Sequence, residues 1–443
     1  MTRTLWCEWA WMPDGPRRGV RLSTEHGVIS AVATGARPGP DDVPVEGMVV
    51  PGAANCHSHA FHRCLRGAGV EGDSFWSWRT SMYRVAERLT PESYHDLALG
   101  VFAEMVAGGY TSVGEFHYVH HRADGSPHDD PNAMGEALIA AAREAGIRLT
   151  LLDTCYLSSG FGSPLLPEQA RFGDRDVHAW RRRVTELAAR HHGDDDIVIG
   201  AAIHSVRAVD PQDMEVVARW ASDNDAPLHV HLSEQVRENS DCVEARGVSP
   251  TEVLRRSRAW EANATAVHAT HLSDEDVTVL GEHGVTCCFC PSTEADLADG
   301  IGPALALAGA GASLTLGSDQ DVLADPFAEA RALEMDQRLT GGSRENFTPG
   351  ELMDALTVNG QRSLGWRAGG RIVTGALADL VQIRMDTASL AGVLPERVPS
   401  LASRSDIGAV WVAGTRRAQN GRHLTIDTAG VLRDAIGALR DAS

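Results

Sequence analysis

The sequence predicts an α/β protein: a closed (β/α)8 TIM barrel with a small β-sandwich domain formed by the N- and C-terminal segments. Three observations lead there. Short β-branched apolar runs alternate with longer amphipathic stretches through the middle of the chain, as repeated βα units do. Eight such runs follow one another, which favours a closed parallel barrel over an open sheet. The two ends differ in texture, with short strand-like pieces broken by Gly, Pro and Asp.

The expected barrel strands are 48–57, 111–117, 147–156, 197–205, 227–233, 265–272, 285–290 and 313–318. Helical patterns fall between them at 93–108, 132–145, 177–191, 213–224 and 249–258. The barrel is therefore assigned to 48–369. Residues 1–47 and 370–443 form the discontinuous sandwich with a C-terminal helix. The run Gly300–Ser318 is long and uncharged enough to suggest a membrane span. It is rich in Gly and Ala, contains Pro303 and is bounded by Asp299 and Asp319, so it reads as a short helix followed by a buried strand.

Composition narrows the chemistry. The chain has 443 residues, a formal net charge of -20, 43% hydrophobic and 23% charged residues. That is ordinary for a folded domain and too apolar for disorder. The acidic balance argues against a nucleic-acid surface, because phosphate binding runs on clustered cations. All 40 basic residues are arginine. Without lysine there is no Schiff-base chemistry, no P-loop lysine and no carbamylated lysine between two metals. Eight cysteines in so long a chain do not make a disulfide scaffold. The N-terminus breaks its apolar run at Glu8 and lacks a signal-peptide core, so a cytoplasmic protein without membrane segments is expected.

The histidines carry the functional signal. In Asn55-Cys-His-Ser-His59, alternation along a strand turns His57 and His59 to one side, where both can reach one ion. Alone this is weak, since 19 His in 443 positions give about 0.8 such pairs by chance. Three further strand ends change the weighting. His229-Val-His231-Leu-Ser-Glu234 ends the fifth, Val267-His268-Ala-Thr-His271 the sixth and Leu316-Gly-Ser-Asp319 the eighth. In a barrel all strand C-termini open on one face, so these side chains converge. Imidazole and carboxylate together suit one Zn²⁺ or Fe²⁺ better than the all-oxygen shells of calcium and magnesium.

The order His-x-His, His-x-x-Glu, His, Ser-Asp on strands one, five, six and eight resembles the amidohydrolase superfamily in its mononuclear deaminase branch. The stretches Asn55-Cys-His-Ser-His-Ala-Phe-His-Arg63, Phe75-Trp-Ser-Trp-Arg-Thr-Ser-Met-Tyr83, Gly114-Glu-Phe-His-Tyr-Val-His-His121, His204-Ser-Val-Arg-Ala-Val209 and Leu297-Ala-Asp-Gly-Ile-Gly-Pro303 are similar to the formimidoylglutamate deiminases. The similarity spans about residues 45–365. Chemistry and resemblance agree on His57, His59, His231 and Asp319 as metal ligands, with Asp319 also taking a proton from the attacking water. Glu234 is the expected general acid/base and His268 the stabiliser of developing oxyanion charge. Strand spacing leaves His229 and His231 equivalent; the family's His-x-x-Glu pattern selects His231.

The resemblance implies hydrolytic deimination of N-formimidoyl-L-glutamate to N-formyl-L-glutamate and ammonia, a step of histidine degradation, in a homodimer. It marks Arg79 and Arg207 as carboxylate partners and His62, Tyr118 and His204 as further substrate-lining residues. A planar guanidinium suits a carboxylate, and on an acidic chain an anionic substrate needs local cations. Two features stand apart. Asp321 occupies a place where the family has histidine, and a carboxylate beside the site would repel an anionic substrate. Cys287, Cys288 and Cys290 lack a second Cys pair at zinc-knuckle spacing and read as core. Trp76 and Trp78 read as loop packing and His271 as structural. A deaminase of an aminated purine or pyrimidine such as guanine is the main alternative, and a non-catalytic barrel the other.

Overall fold

The structure, a computed structural model, describes residues 3–67 and 75–441. Its strands form two eight-stranded sheets. The first begins with β1 (Arg3–Met12), β2 (Gly15–Glu25), β3 (Val28–Ala33) and β4 (Val43–Pro51). The second is the barrel: β5 (Ala53–Ser58), β6 (Tyr110–His117), β7 (Arg148–Cys155), β8 (Ile197–Ile203), β9 (Pro227–Leu232), β10 (Asn263–His268), β11 (Thr286–Phe289) and β12 (Ser313–Leu316). The chain then returns to the first sheet with β13 (Leu380–Ile383), β14 (Ile407–Val412), β15 (Thr415–Gln419) and β16 (Arg422–His423).

The barrel strands pair in sequence order, all parallel. Just beyond β12 the ring closes on β5: Ser318 and Asp319 N–H donate to His57 O at 3.0 and 2.9 Å, and His59 N–H donates to Asp319 O at 3.0 Å. Closure thus runs through the very residues singled out as metal ligands. In the other sheet β4 is the hinge between termini, parallel to β1 and antiparallel to β13. Its core gathers Leu5, Cys7, Val20, Leu22, Ile29 and Trp411, and the segment before β13 bridges back to β3 through Val28 and Leu377. This is the small sandwich. The C-terminal helix Thr428–Asp441 leaves it and packs on the barrel helix Pro91–Ala107, where Leu432 lies over Gly100.

The stretch 48–57, expected as one strand, is two. β4 ends at Pro51 in the terminal sheet and β5 starts at Ala53 in the barrel, with Gly52 between. A Cβ at Gly52 would fall 2.2 Å from the Thr111 hydroxyl, so only glycine passes there. Residues 48–51 therefore pair with the sandwich. Strand 265–272 is also shorter than expected, because His268 and Ala269 take left-handed φ of 69° and 50° and end β10. Among the described residues no helix is long and apolar enough to cross a membrane. Residues 300–318 hold the helix Ala304–Ala310 and then β12, and Cys287, Cys288 and Cys290 are buried. The side chains of Trp76 and Trp78 lie outside the described residues.

Candidate active site

Four strand ends build one cluster. His57 and His59 come from β5 and the residue after it, His231 from β9, His268 from the end of β10 and Asp319 from the turn after β12. His57 Nε2 lies 3.2 Å from His231 Nε2 and 3.4 Å from Asp319 Oδ1. His59 Nε2 is 3.5 Å from that same oxygen, and His268 Nε2 is 4.0 Å from Asp319 Oδ2. His229, two residues deeper in β9, turns its Nε2 toward Ser363 O at 3.3 Å and stays out of the cluster.

Whether these residues suit a metal can be judged from their protons. His59 Nδ1 and His231 Nδ1 each sit 2.9 Å from a backbone carbonyl, Phe116 O and His204 O respectively. A carbonyl only accepts, so both rings carry hydrogen at Nδ1 and aim Nε2 lone pairs inward. Phe116 stacks on His231 at 4.2 Å and holds its plane. Lone pairs converging beside a carboxylate, in a pocket where burial pushes the His57, His59 and His231 pKa values down, call for a cation between them. The set fits a divalent ion of the zinc type.

Backbone strain marks the same rim. Ser233, His268, Ala269 and Asp319 all have φ between 47° and 69°, unusual for residues other than glycine. Glu234 Oε1 lies 4.0 Å from His268 Nε2. Burial, opposed by His268, raises the Glu234 carboxyl pKa. Burial works against charge on His268, but Glu234, Glu294 and Asp319 outweigh it and hold that imidazole well above its usual value.

Beside this cluster opens a cleft lined by His59, His62, Arg79, Tyr118, His204, Arg207, His231, Glu234, His268 and Asp319 together with Met82, Tyr83, Tyr156, Phe172 and Leu297. His57 lies behind it, fully buried. His62 Nε2 is 2.9 Å from Tyr118 Oη, and Arg207 Nη1 donates to the buried Glu238 at 2.7 Å.

Asp321 needs a correction. It does not face the cleft. Ser318–Asp321 is a tight turn, closed by Asp321 N–H to Ser318 O at 2.9 Å, that folds residue 321 back into the barrel. Its carboxylate accepts from Ser318 Oγ at 2.5 Å and Ser58 Oγ at 3.4 Å, and burial raises its pKa to about 7. The expected repulsion of an anionic substrate therefore falls away. His271 also stays out of the cleft.

Several contributors escaped the sequence reading. Glu294 Oε1 accepts from Cys290 N–H at 2.9 Å and lies 3.4 Å from His268 Nδ1, on the side away from Glu234. The only sequence signal for it is a carboxylate just past the seventh strand. Tyr83 is marked only as the last residue of a family-like stretch, and Tyr156 and Gln169 carry none.

Comparison with known proteins agrees with this geometry. The model of the Amidohydrolase family matches residues 48–416. A formimidoylglutamate deiminase from Pseudomonas aeruginosa is 35% identical over 439 residues, 95% of each chain.

The chain belongs to the amidohydrolase family.

An 8-oxoguanine deaminase, also from Pseudomonas aeruginosa, is 30% identical over 410 residues, 88% of this chain and 87% of that one. The crystal structure of an amidohydrolase from Brucella melitensis superposes with a TM-score of 0.91 at 34% identity, covering 99% of this chain and 100% of its own. Family membership and deaminase relatives make the protein a hydrolase acting on C–N bonds, and its His/Asp cluster fits the divalent metal of the family.

Proposed function

We propose that this amidohydrolase hydrolyses N-formimidoyl-L-glutamate to N-formyl-L-glutamate and ammonia, as a cytoplasmic homodimer within histidine degradation. The observation that carries the reading is the pair of guanidiniums, Arg79 and Arg207, on the wall of the cleft that also holds Glu234 and His268. A substrate with two carboxylates and an amidine matches that lining, and the similarity to a formimidoylglutamate deiminase supports it. His57, His59, His231 and Asp319 would hold one Zn²⁺ or Fe²⁺. Bound there, the ion would supply Lewis-acid activation of water near neutral pH. Asp319 turns Oδ1 to the β5 imidazoles and Oδ2 toward His268, so Oδ2 is the oxygen available to take the water's proton. Oxygen adds to the amidine carbon, the C–NH₂ bond breaks, and Glu234 passes a proton to the departing nitrogen. His268 Nε2–H faces the oxygen that gains charge.

A purine reading is favoured by the 8-oxoguanine deaminase relative. Ammonia release from formimidoylglutamate, guanine and 8-oxoguanine separates the two. Arg207→Gln is expected to lower kcat/KM on formimidoylglutamate by about 100-fold, in line with the loss of a charged hydrogen-bonding partner. An unchanged value, or turnover of the purines alone, overturns the proposal. A purified chain without stoichiometric zinc or iron would favour a non-catalytic barrel.

A further inference from the structure

The far wall of the cleft is a run of rings leading away from the metal cluster. His204 lies 5.2 Å from His231, Tyr156 4.2 Å from His204, Phe172 5.8 Å from Tyr156 and Tyr83 5.9 Å from Phe172, centroid to centroid. Behind the two phenols sits Gln169, fully buried. Its Oε1 accepts from Leu166 N–H at 2.9 Å, which fixes the amide orientation. Its Nε2 donates to Tyr156 Oη at 2.8 Å and to Tyr83 Oη at 3.0 Å. Arg79 Nε also donates to Tyr83 Oη, at 2.5 Å.

Counting protons gives these phenols a direction. A phenol has one hydrogen and two lone pairs. Tyr83 Oη spends both lone pairs on Gln169 and Arg79, and Tyr156 Oη spends one on Gln169. Among the described residues no oxygen or nitrogen takes either hydroxyl hydrogen, so each O–H is left for whatever enters the cleft. Burial pushes the Tyr83 pKa up to about 12, so it stays a donor at neutral pH. The guanidiniums of Arg79 and Arg207 line the same wall and add positive charge to it.

We propose that Gln169 is a specificity-determining positioning residue: it orients the Tyr83 and Tyr156 hydroxyls as donors and makes the distal end of the cleft a receptor for a carboxylate. This rests on the reading of an acidic substrate and extends it. A neutral heterocycle bears N–H groups for which this rim keeps a single lone pair, on Tyr156 Oη, and its own acceptors carry no full charge to reward desolvated donors.

The test is titration calorimetry of the zinc-loaded full chain with glutarate, a diacid with no amidine to hydrolyse, beside glutaramide, its neutral diamide. Tyr83→Phe and Tyr156→Phe are each expected to weaken glutarate by about tenfold. Gln169→Leu, which frees the phenols to rotate, should lower the preference for glutarate over glutaramide by about threefold or more, whereas general damage would weaken both ligands alike. An unaltered preference in Gln169→Leu, or glutarate binding in both phenylalanine variants within about twofold of the starting chain, overturns the proposal. If Gln169→Leu does not fold, Gln169→Met, which also lacks the amide donor, takes its place under the same criteria. A chain that binds glutarate in the expected pattern yet releases no ammonia from formimidoylglutamate keeps the donor rim and overturns the substrate. Failure of the unaltered chain to bind glutarate overturns the donor rim itself.

Discussion

At the scale of single residues the site divides by how its members can be found. His57, His59, His231, Glu234, His268 and Asp319 stand out because strand alternation and a shared barrel face bring strand ends together, and both rules act locally. Glu234→Gln is the sharpest test among them. The amide cannot carry the proton, so kcat is expected to fall by about 100-fold or more with metal content intact, measured by ammonia release and elemental analysis. Retained kcat would remove Glu234 from proton transfer. Other residues were silent in the sequence for a physical reason. Gln169 meets Tyr83 across 86 positions, Glu294 meets His268 across 26, and no periodicity encodes such meetings. Asp321 was visible but misread, since a chain trace says where a carboxylate sits and not which way a tight turn points it.

At the scale of elements, the eight βα units were legible from alternating runs, and their ends were not. The break at Gly52 hides inside a continuous apolar run, and helix Val236–Arg246 buries only Glu238 and Cys242, too little to print a stripe on the sequence. The β12–β5 seam is the element on which the His/Asp cluster depends. A Cβ at Gly317 would fall 2.7 Å from His57 Cβ and 2.9 Å from its backbone N and O. Gly317→Ala must push the seam apart, moving Asp319 from the imidazoles. The expected result is zinc content well below one per chain, with a stability loss of about 1–3 kcal/mol. Full zinc occupancy in that variant would mean the seam tolerates the shift.

At the scale of the whole molecule, the two sheets are joined by a buried clamp. Arg148 of β7 donates from Nε to Asp379 Oδ2 at 2.7 Å while its guanidinium lies over Trp366, and Asp379 Oδ1 accepts from Ala413 N–H at 2.7 Å. Arg148→Met leaves that carboxylate buried without its cation. It is expected to cost about 3–5 kcal/mol in urea unfolding, and a cost under about 1 kcal/mol would show the clamp to be dispensable. The crossing at β4 carries a consequence for biosynthesis. Every proposed ligand has been translated by residue 319, yet β4, which leads directly into the strand bearing the first two and pairs with β1 on one side, waits for β13 near residue 380 as its second neighbour. A nascent chain therefore holds all its donor atoms about 60 residues before β4 gains the last of its sheet neighbours.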